Sequence, residues 1–440
     1  MALLAAAFVL LSAALAPSAR AQSLIRDAEI EHALNLIARP LASAAGLSPS
    51  RLRIMVLQDS TLNAFVFDGR TIFVHSGLLL KLKTAQQVQA VLSHEMAHIA
   101  NGHITRRLSN VRTANSAAAM GIIMSMAAAA AGGGRAAAGL AIGTASSAQR
   151  VLFAHTRAEE SSADQSGIRY MVRAGIDPEA MVEVLDLFRG QEALNVSRQD
   201  PYVMTHPLTR DRLRRVEGYA AAYGTGGTPE PEAEYWFARA QGKLGAFLQN
   251  PSYTLRRVGG ADQSDAALMR RAVAYHRQPD EAKALREIDK LAAKRPKDGY
   301  VQELRGQILL ESRRFDAAVS AYDRAVQLAP DEPLILAGYG RALLALDTGK
   351  ANRQALSVLE KARARDPFDP RMLRDLALAH ARAGNDGMAS LATAERYAVQ
   401  GRLKDAAIHA KRAEGLLPRG SSGWLRAQDV LAAAKNAERR

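Results

Sequence analysis

The chain contains no cysteine in its 440 residues. This excludes a disulfide framework, a thiolate nucleophile and any Cys-type zinc finger. A metal site here must be built from histidines and carboxylates. An exported protein of this composition does not depend on an oxidising compartment for its fold. Aromatic residues are also scarce, at 5%. Long β-sandwiches draw on aromatic and β-branched side chains, so an alanine-rich, aromatic-poor chain leans helical. The charge balance lacks acid: the formal net charge is +14. That favours acidic surfaces, such as nucleic acid or an anionic membrane face. No nucleic-acid-binding motif accompanies the charge, so nucleic acid is not an expected partner.

What is present is the composition of a folded protein, 48% hydrophobic and 23% charged, long enough for two or three domains. The first residues, MALLAAAFVLLSAALAPSARAQS, carry an apolar run at 2–16 and an A-x-A pattern at Ala19-Arg20-Ala21. They read as a signal peptide cleaved after Ala21, although no Lys or Arg precedes the apolar run. The run is short of the about 20 residues that a spanning helix needs.

Apolar residues at helical spacing predict a helix over 24–46, and RIMVLQ at 53–58 alternates as a strand. NAFVFDGRTIFVHSGLL at 63–79 reads as two short strands around Asp68-Gly69, a hairpin signal, with Gly77 ending the second. RTIFVH at 70–75 is expected to be an edge strand that an extended substrate can pair with. Helical patterning starts at Ala85 and resumes over 157–192. Between them, 113–149 is dominated by Ala, Gly and Ser. It reads as a helical hairpin or lid packed on the domain, with a loop dipping into a membrane as the alternative.

A Gly/Pro break at 224–232 marks a candidate boundary. Beyond about 265 the chain repeats. Ala272, Ala284 and Pro296 are separated by 12 and 12; Gly306, Ala318, Pro330 and Ala394, Ala406, Pro418 repeat the spacing. The 34 residues from Pro296 to Pro330 are the period of a tetratricopeptide repeat. Pro367 closes a further unit, and the 51 residues from there to Pro418 leave room for one extra helix. The expected organisation is a signal peptide at 1–21, a catalytic domain at 22–225, a helical linker at 226–264 and a repeat domain at 265–440.

The stretch VLSHEMAHIANGH at 91–103 holds three of the ten histidines. His94 and His98 are four apart, so a helix puts both imidazoles on one face, able to grip one zinc ion. Glu95 stands beside that face, where a general base belongs. The alternative is a pair of surface histidines and a solvated glutamate, but the apolar flanks favour a buried helix whose polar groups need partners. His103 is five residues beyond His98, about 140° round a helix, and is rejected as a ligand. In RAEESSADQSG at 157–167, Glu160 and Asp164 are i and i+4. Glu160 is a candidate third ligand, and Asp164 can accept the second ring N–H of a ligating histidine. Alone, this cluster reads first as a solvated helix face.

Five motifs in order resemble the HtpX/CAAX-prenyl-protease type of zinc metallopeptidase, a gluzincin family: Asn63-Ala64-Phe65, Gly77-Leu78-Leu79, His94-Glu95-Met96-Ala97-His98, Glu160-Ser161-Ser162-Ala163-Asp164 and Thr205-His206-Pro207. The resemblance covers roughly 50–215. It implies one Zn2+ per chain held by His94, His98 and Glu160, with Glu95 activating water and Asp164 behind the ligands. It brings His206 to the active site, as an oxyanion-side donor or as a removable fourth ligand, with plain loop structure before Pro207 as the alternative. It places a basic residue, Arg212, where it can pair with a site carboxylate or stabilise an oxyanion. With the repeat spacing, the expected fold class is mainly α with a small β-sheet in a zincin-like α+β catalytic domain, followed by an all-α tetratricopeptide-repeat solenoid.

The signal peptide and C-terminal repeats resemble the periplasmic proteases that serve outer-membrane β-barrel assembly. The function expected from this is a periplasmic zinc metalloendopeptidase that degrades misassembled or unfolded envelope proteins and docks to assembly machinery through its repeats, with a peripheral membrane contact in view of 113–149. A chaperone or assembly scaffold, with a latent or regulatory zinc site, is the rival.

Overall fold

The computed structural model describes residues 23–106, 156–191, 194, 198–224 and 227–438. Residues 1–21, read above as a signal peptide, and the segment 113–149 lie outside the described residues. The architecture is mainly helical, with one small sheet near the N-terminus and a helical repeat array behind it.

The sheet has four strands: β1 (Ser23–Ile25), β2 (Arg53–Gln58), β3 (Ala64–Val66) and β4 (Thr71–His75), in the order β1-β2-β4-β3. β2 and β4 run parallel, while β1–β2 and β3–β4 are antiparallel. The first strand lies where the sequence reads as the start of a helix. Leu24 and Ile25 pair with Leu57 and Val56. The helix α1 (Ala28–Ala44) begins only where Asp27 caps it by accepting from the Ile30 N–H. The hairpin around Asp68-Gly69 forms, with Phe65 opposite Phe73. Its exposed side differs from expectation. β4 is interior, and β3 is the edge strand on its side, because β2 pairs with β4 in parallel and leaves β3 outermost there. Gly77 does not end a strand either. It sits in the first turn of α2 (Ser76–Lys81), where a Cβ would lie 2.2 Å from the Ser60 carbonyl oxygen. Only glycine fits that close approach of backbone to backbone.

The alternation of β2–β4 divides their side chains between two apolar layers. Ile54, Val56, Ala64, Val66, Ile72 and Val74 join the main core, and Met55, Leu57, Phe65 and Phe73 cluster on the other face. α1 packs on that core with α3 (Ala85–Ala100), α4 (Arg157–Arg173), α5 (Glu179–Asp186) and α7 (Arg210–Tyr223). The short α6 (Pro201–Thr205) carries the chain to His206. Thr84 caps α3 and Thr209 caps α7 through their side-chain oxygens.

Within the segment read as a linker lie α8 (Pro231–Leu248) and α9 (Pro251–Val258). Ala233, Phe237, Ala240 and Leu244 of α8 are part of the catalytic core. The repeats follow as α10 (Asp265–Arg277), α11 (Glu281–Lys294), α12 (Gly299–Glu311), α13 (Phe315–Leu328), α14 (Pro333–Leu346), α15 (Gly349–Arg365), α16 (Pro370–Arg382), α17 (Asp386–Val399), α18 (Leu403–Leu416) and α19 (Ser422–Glu438). The repeated small residues mark close crossings. A Cβ on Gly306 would lie 2.7 Å from the Tyr322 ring, and one on Gly338 would lie 2.4 Å from it. Between Pro367 and Pro418 run three helices, α16 to α18, one more than a repeat pair.

A buried ion network ties the array to the catalytic domain. Lys243 of α8 reaches Asp27 at 2.9 Å, Glu29 at 3.3 Å and Glu303 of α12 at 3.4 Å. Arg239 pairs with Glu29 and Asp298. The catalytic module and the repeats thus share a charged, desolvated interface.

Candidate metal and active site

His94, Glu95 and His98 lie on α3, and all three are fully buried. The α3–α4 contact is close because α4 carries Gly167, where a Cβ would meet Ser93 Oγ at 3.2 Å and the His94 N at 3.3 Å. That contact brings Glu160 to the histidines. Its neighbour Glu159 is spent locally: it closes a capping box with Thr156 at the start of α4. The capping box turns Glu159 to the helix terminus and leaves Glu160 buried on the inner face.

From 112 residues beyond His94, His206 enters the same space. One donor atom from each of His94, His98, Glu160 and His206 lies within 4.8 Å of the others. His94 Nε2 is 3.0 Å from His98 Nε2 and 3.2 Å from His206 Nδ1. Glu160 Oε1 is 3.1 Å from His206 Nδ1 and 3.3 Å from His98 Nε2. Donors about 2.0–2.1 Å from a tetrahedral zinc stand roughly 3.3 Å from one another. These four separations are close to such edges, the whole group lies within 4.8 Å, and an N/O donor set suits zinc.

The far nitrogen of each imidazole meets an acceptor. His94 Nδ1 lies 2.9 Å from Asp164 Oδ1, His98 Nδ1 lies 2.9 Å from His103 Nδ1, and His206 Nε2 lies 3.3 Å from the Ala64 carbonyl. These contacts put the protons on the outer nitrogens and aim the lone pairs at one point. Tyr202 stacks on the His206 ring with centroids 4.6 Å apart, and Phe188 stacks on Tyr202.

Arg212 stands behind the carboxylates. It binds Asp164 through two nitrogens, at 2.7 and 2.9 Å, and Glu160 Oε2 at 2.6 Å. Burial disfavours both carboxylates, but Arg212 and the neighbouring histidines outweigh it: Glu160 is held well below the usual carboxylate range and Asp164 at about 2. Burial would likewise lower His94, yet Glu160 and Asp164 hold it up at about 10. His98 is pushed well down by burial. Glu95 is pushed up, again by burial. Neither Glu95 oxygen accepts a hydrogen bond among the described residues; one lies 3.5 Å from His206 Nε2.

A family model for peptidase family M48 matches residues 28–220, and tetratricopeptide models match 282–333 and 309–372. The chain carries an M48 peptidase domain followed by tetratricopeptide repeats. This family is zinc-dependent, and the donor set fits that metal. Through this M48 domain the chain is a zinc metalloendopeptidase. It is 27% identical over 397 residues to the beta-barrel assembly-enhancing protease of Yersinia pestis, across 87% of this chain and 79% of that protein. The protein of the same name from Escherichia coli (strain K12) is 24% identical over 389 residues, 87% and 78% of the two chains. The mitochondrial metalloendopeptidase OMA1 of Schizosaccharomyces pombe is 27% identical over 184 residues, 41% of this chain and 50% of that one.

The structure therefore gathers His94, Glu95, His98, Glu160, Asp164, His206 and Arg212 in one buried group of the M48 domain. Sequence reasoning did not find His103, Tyr202 or Gly167 as members of it. Only Gly167 had a signal there: a small residue two turns past Glu160, on the side where the M48 domain's two site helices meet.

Proposed function

We propose that the chain is a periplasmic zinc metalloendopeptidase of outer-membrane protein assembly. It degrades misassembled or unfolded envelope proteins and docks to assembly machinery through its repeats. The observation that carries this reading is the buried donor group beside Glu95, in a chain whose likeness to β-barrel assembly-enhancing proteases runs across both the peptidase domain and the repeats. Export, with cleavage after Ala21, follows from the leader-like N-terminus and the periplasmic character of that reading. No described helix is long and apolar enough to cross a membrane.

In this reading His94, His98 and Glu160 hold one zinc, and Asp164 orients His94. Zinc, when bound, supplies Lewis acidity to a water molecule and to the scissile carbonyl. Glu95 takes a proton from the water as its oxygen attacks the carbonyl carbon. As the C–N bond breaks, Glu95 passes that proton to the leaving amine. A carboxylate that burial holds above its usual range suits both transfers. Arg212 pairs with Glu160 and Asp164 and keeps both ionised.

A catalytic zinc keeps one position open, whereas four protein donors close it. His206 is the donor to give way, because it alone comes from a loop segment outside α3 and α4. Asn63 and Phe67 bond across to β4, so the alternate residue Ala64 turns its carbonyl to the free edge of the sheet. An extended substrate pairing with β3 competes with His206 for that carbonyl. The closed donor set also supports a second reading, in which the site is latent and the repeats act as an assembly scaffold.

Purified protein tests both. Wild type is expected to hold one zinc and to cleave unfolded casein. Glu95→Gln should keep its zinc and lose cleavage by at least about a hundredfold. Equal cleavage by Glu95→Gln, or wild type without zinc, makes the site assignment wrong and the scaffold the leading function.

A further inference from the structure

The helix α3 ends at Ala100 and does not continue through His103. Asn101 N bonds to the Ala97 carbonyl and Gly102 N to the Ile99 carbonyl, and Gly102 then takes φ +70°, the left-handed conformation that glycine adopts freely. This turn cancels the angular offset that an unbroken helix would give His103. The His103 ring, 3% exposed, comes back under His98, with ring centroids 5.0 Å apart and the two Nδ1 atoms at 2.9 Å.

Two Nδ1 atoms at that distance share one proton between them. His98 Nε2 faces His94 Nε2 and Glu160 at the donor point, so its lone pair belongs there. The proton of His98 is then on Nδ1, and His103 Nδ1 accepts it. We propose that His103, swung into place by Gly102, is a positioning residue for the metal site: it fixes the tautomer and ring angle of His98, as Asp164 does for His94. His103 is not a ligand, since its Nδ1 meets the face of His98 turned away from the other donors. The inference rests on the zinc-site reading above. It adds a residue that no motif of the chain singles out.

The test is zinc affinity, read by competition with a chromophoric chelator on purified protein, together with the melting temperature of the metal-free form. His103→Ala should weaken zinc binding by about 10–100-fold, the usual effect of losing an outer partner of a ligating histidine. The metal-free form should melt within a few degrees of wild type. His103→Asn places a hydrogen-bonding atom where Nδ1 stood and should recover most of the affinity. Gly102→Ala, strained at φ +70°, should weaken zinc binding in the same direction as His103→Ala. The proposal is overturned if His103→Ala binds zinc like wild type. It is equally overturned if His103→Asn is as weak as His103→Ala, or if the metal-free His103→Ala and His103→Asn proteins both melt far below wild type, since packing alone then accounts for the loss. His94→Ala is the control. If it too leaves affinity unchanged, the zinc-site reading itself has failed; if it abolishes binding while His103→Ala does not, only the role of His103 has.

Discussion

His206 Nδ1 lies 3.2 Å from His94 Nε2, although 112 residues separate them in the chain. The contact brings a fourth donor into a group that needs three for catalysis. Replacing His206 by alanine should therefore leave zinc bound and speed the cleavage of unfolded casein. Zinc content and initial rates check this. A variant that keeps zinc but cleaves more slowly would instead make His206 a transition-state donor.

Arg212 is the counter-charge for two buried carboxylates at once. Removing one partner of a buried pair costs about 3–5 kcal/mol, because the remaining charge stays desolvated. Arg212→Met should lower the melting temperature of the metal-free protein by many degrees. Arg212→Lys should rescue it poorly, since an ammonium cannot reproduce the bidentate contact with Asp164. Thermal unfolding followed by circular dichroism decides it.

The interface between the catalytic domain and the repeats turns on Lys243, fully buried among Asp27, Glu29 and Glu303. Lys243→Met strips a cation from three carboxylates. A loss of about 3–5 kcal/mol is expected. Calorimetry on wild type should show the M48 domain and the first repeats unfolding together. In the variant the two transitions should move apart, since one of the cations joining them is gone while Arg239 still pairs with Glu29 and Asp298.

In the repeats, His380 is buried and its ring nitrogens accept or donate no hydrogen bond among the described residues. Burial first, then Arg426 and Arg363, lowers its pKa to about 4. The folded state thus binds fewer protons than the unfolded state between about pH 6.5 and 4. The contribution is fully present above pH 6.5 and is lost as pH falls through that window. His380→Phe should flatten this acid dependence. Denaturant midpoints measured between pH 7 and pH 4.5 check the slope.

Some of this protein was legible from residue order alone, and the reason is local periodicity. A spacing of four sets His94 and His98 on one helix face whatever surrounds the helix. The tetratricopeptide period is similarly local, since each small residue marks the crossing of neighbouring helices. The four-residue offset from Glu160 to Asp164 is local too, and the capping box at Thr156 keeps the neighbouring Glu159 at the helix terminus.

Other features needed the third dimension. The edge of the sheet went to β3 because β2 pairs in parallel with β4, a long-range choice that no alternation pattern encodes. The proximity of His206 and Arg212 to the histidines depends on α6 and α7 folding back over α3 and α4; the sequence carried it only as a resemblance. His103 was placed by angle on an unbroken helix, and a single left-handed glycine moved it against His98. The sequence by itself determined that His94 and His98 share one helix face and that the repeats keep their period. Tertiary structure decided how many donors converge and which acceptor sets each imidazole, because those contacts join segments whose separation along the chain imposes no geometry.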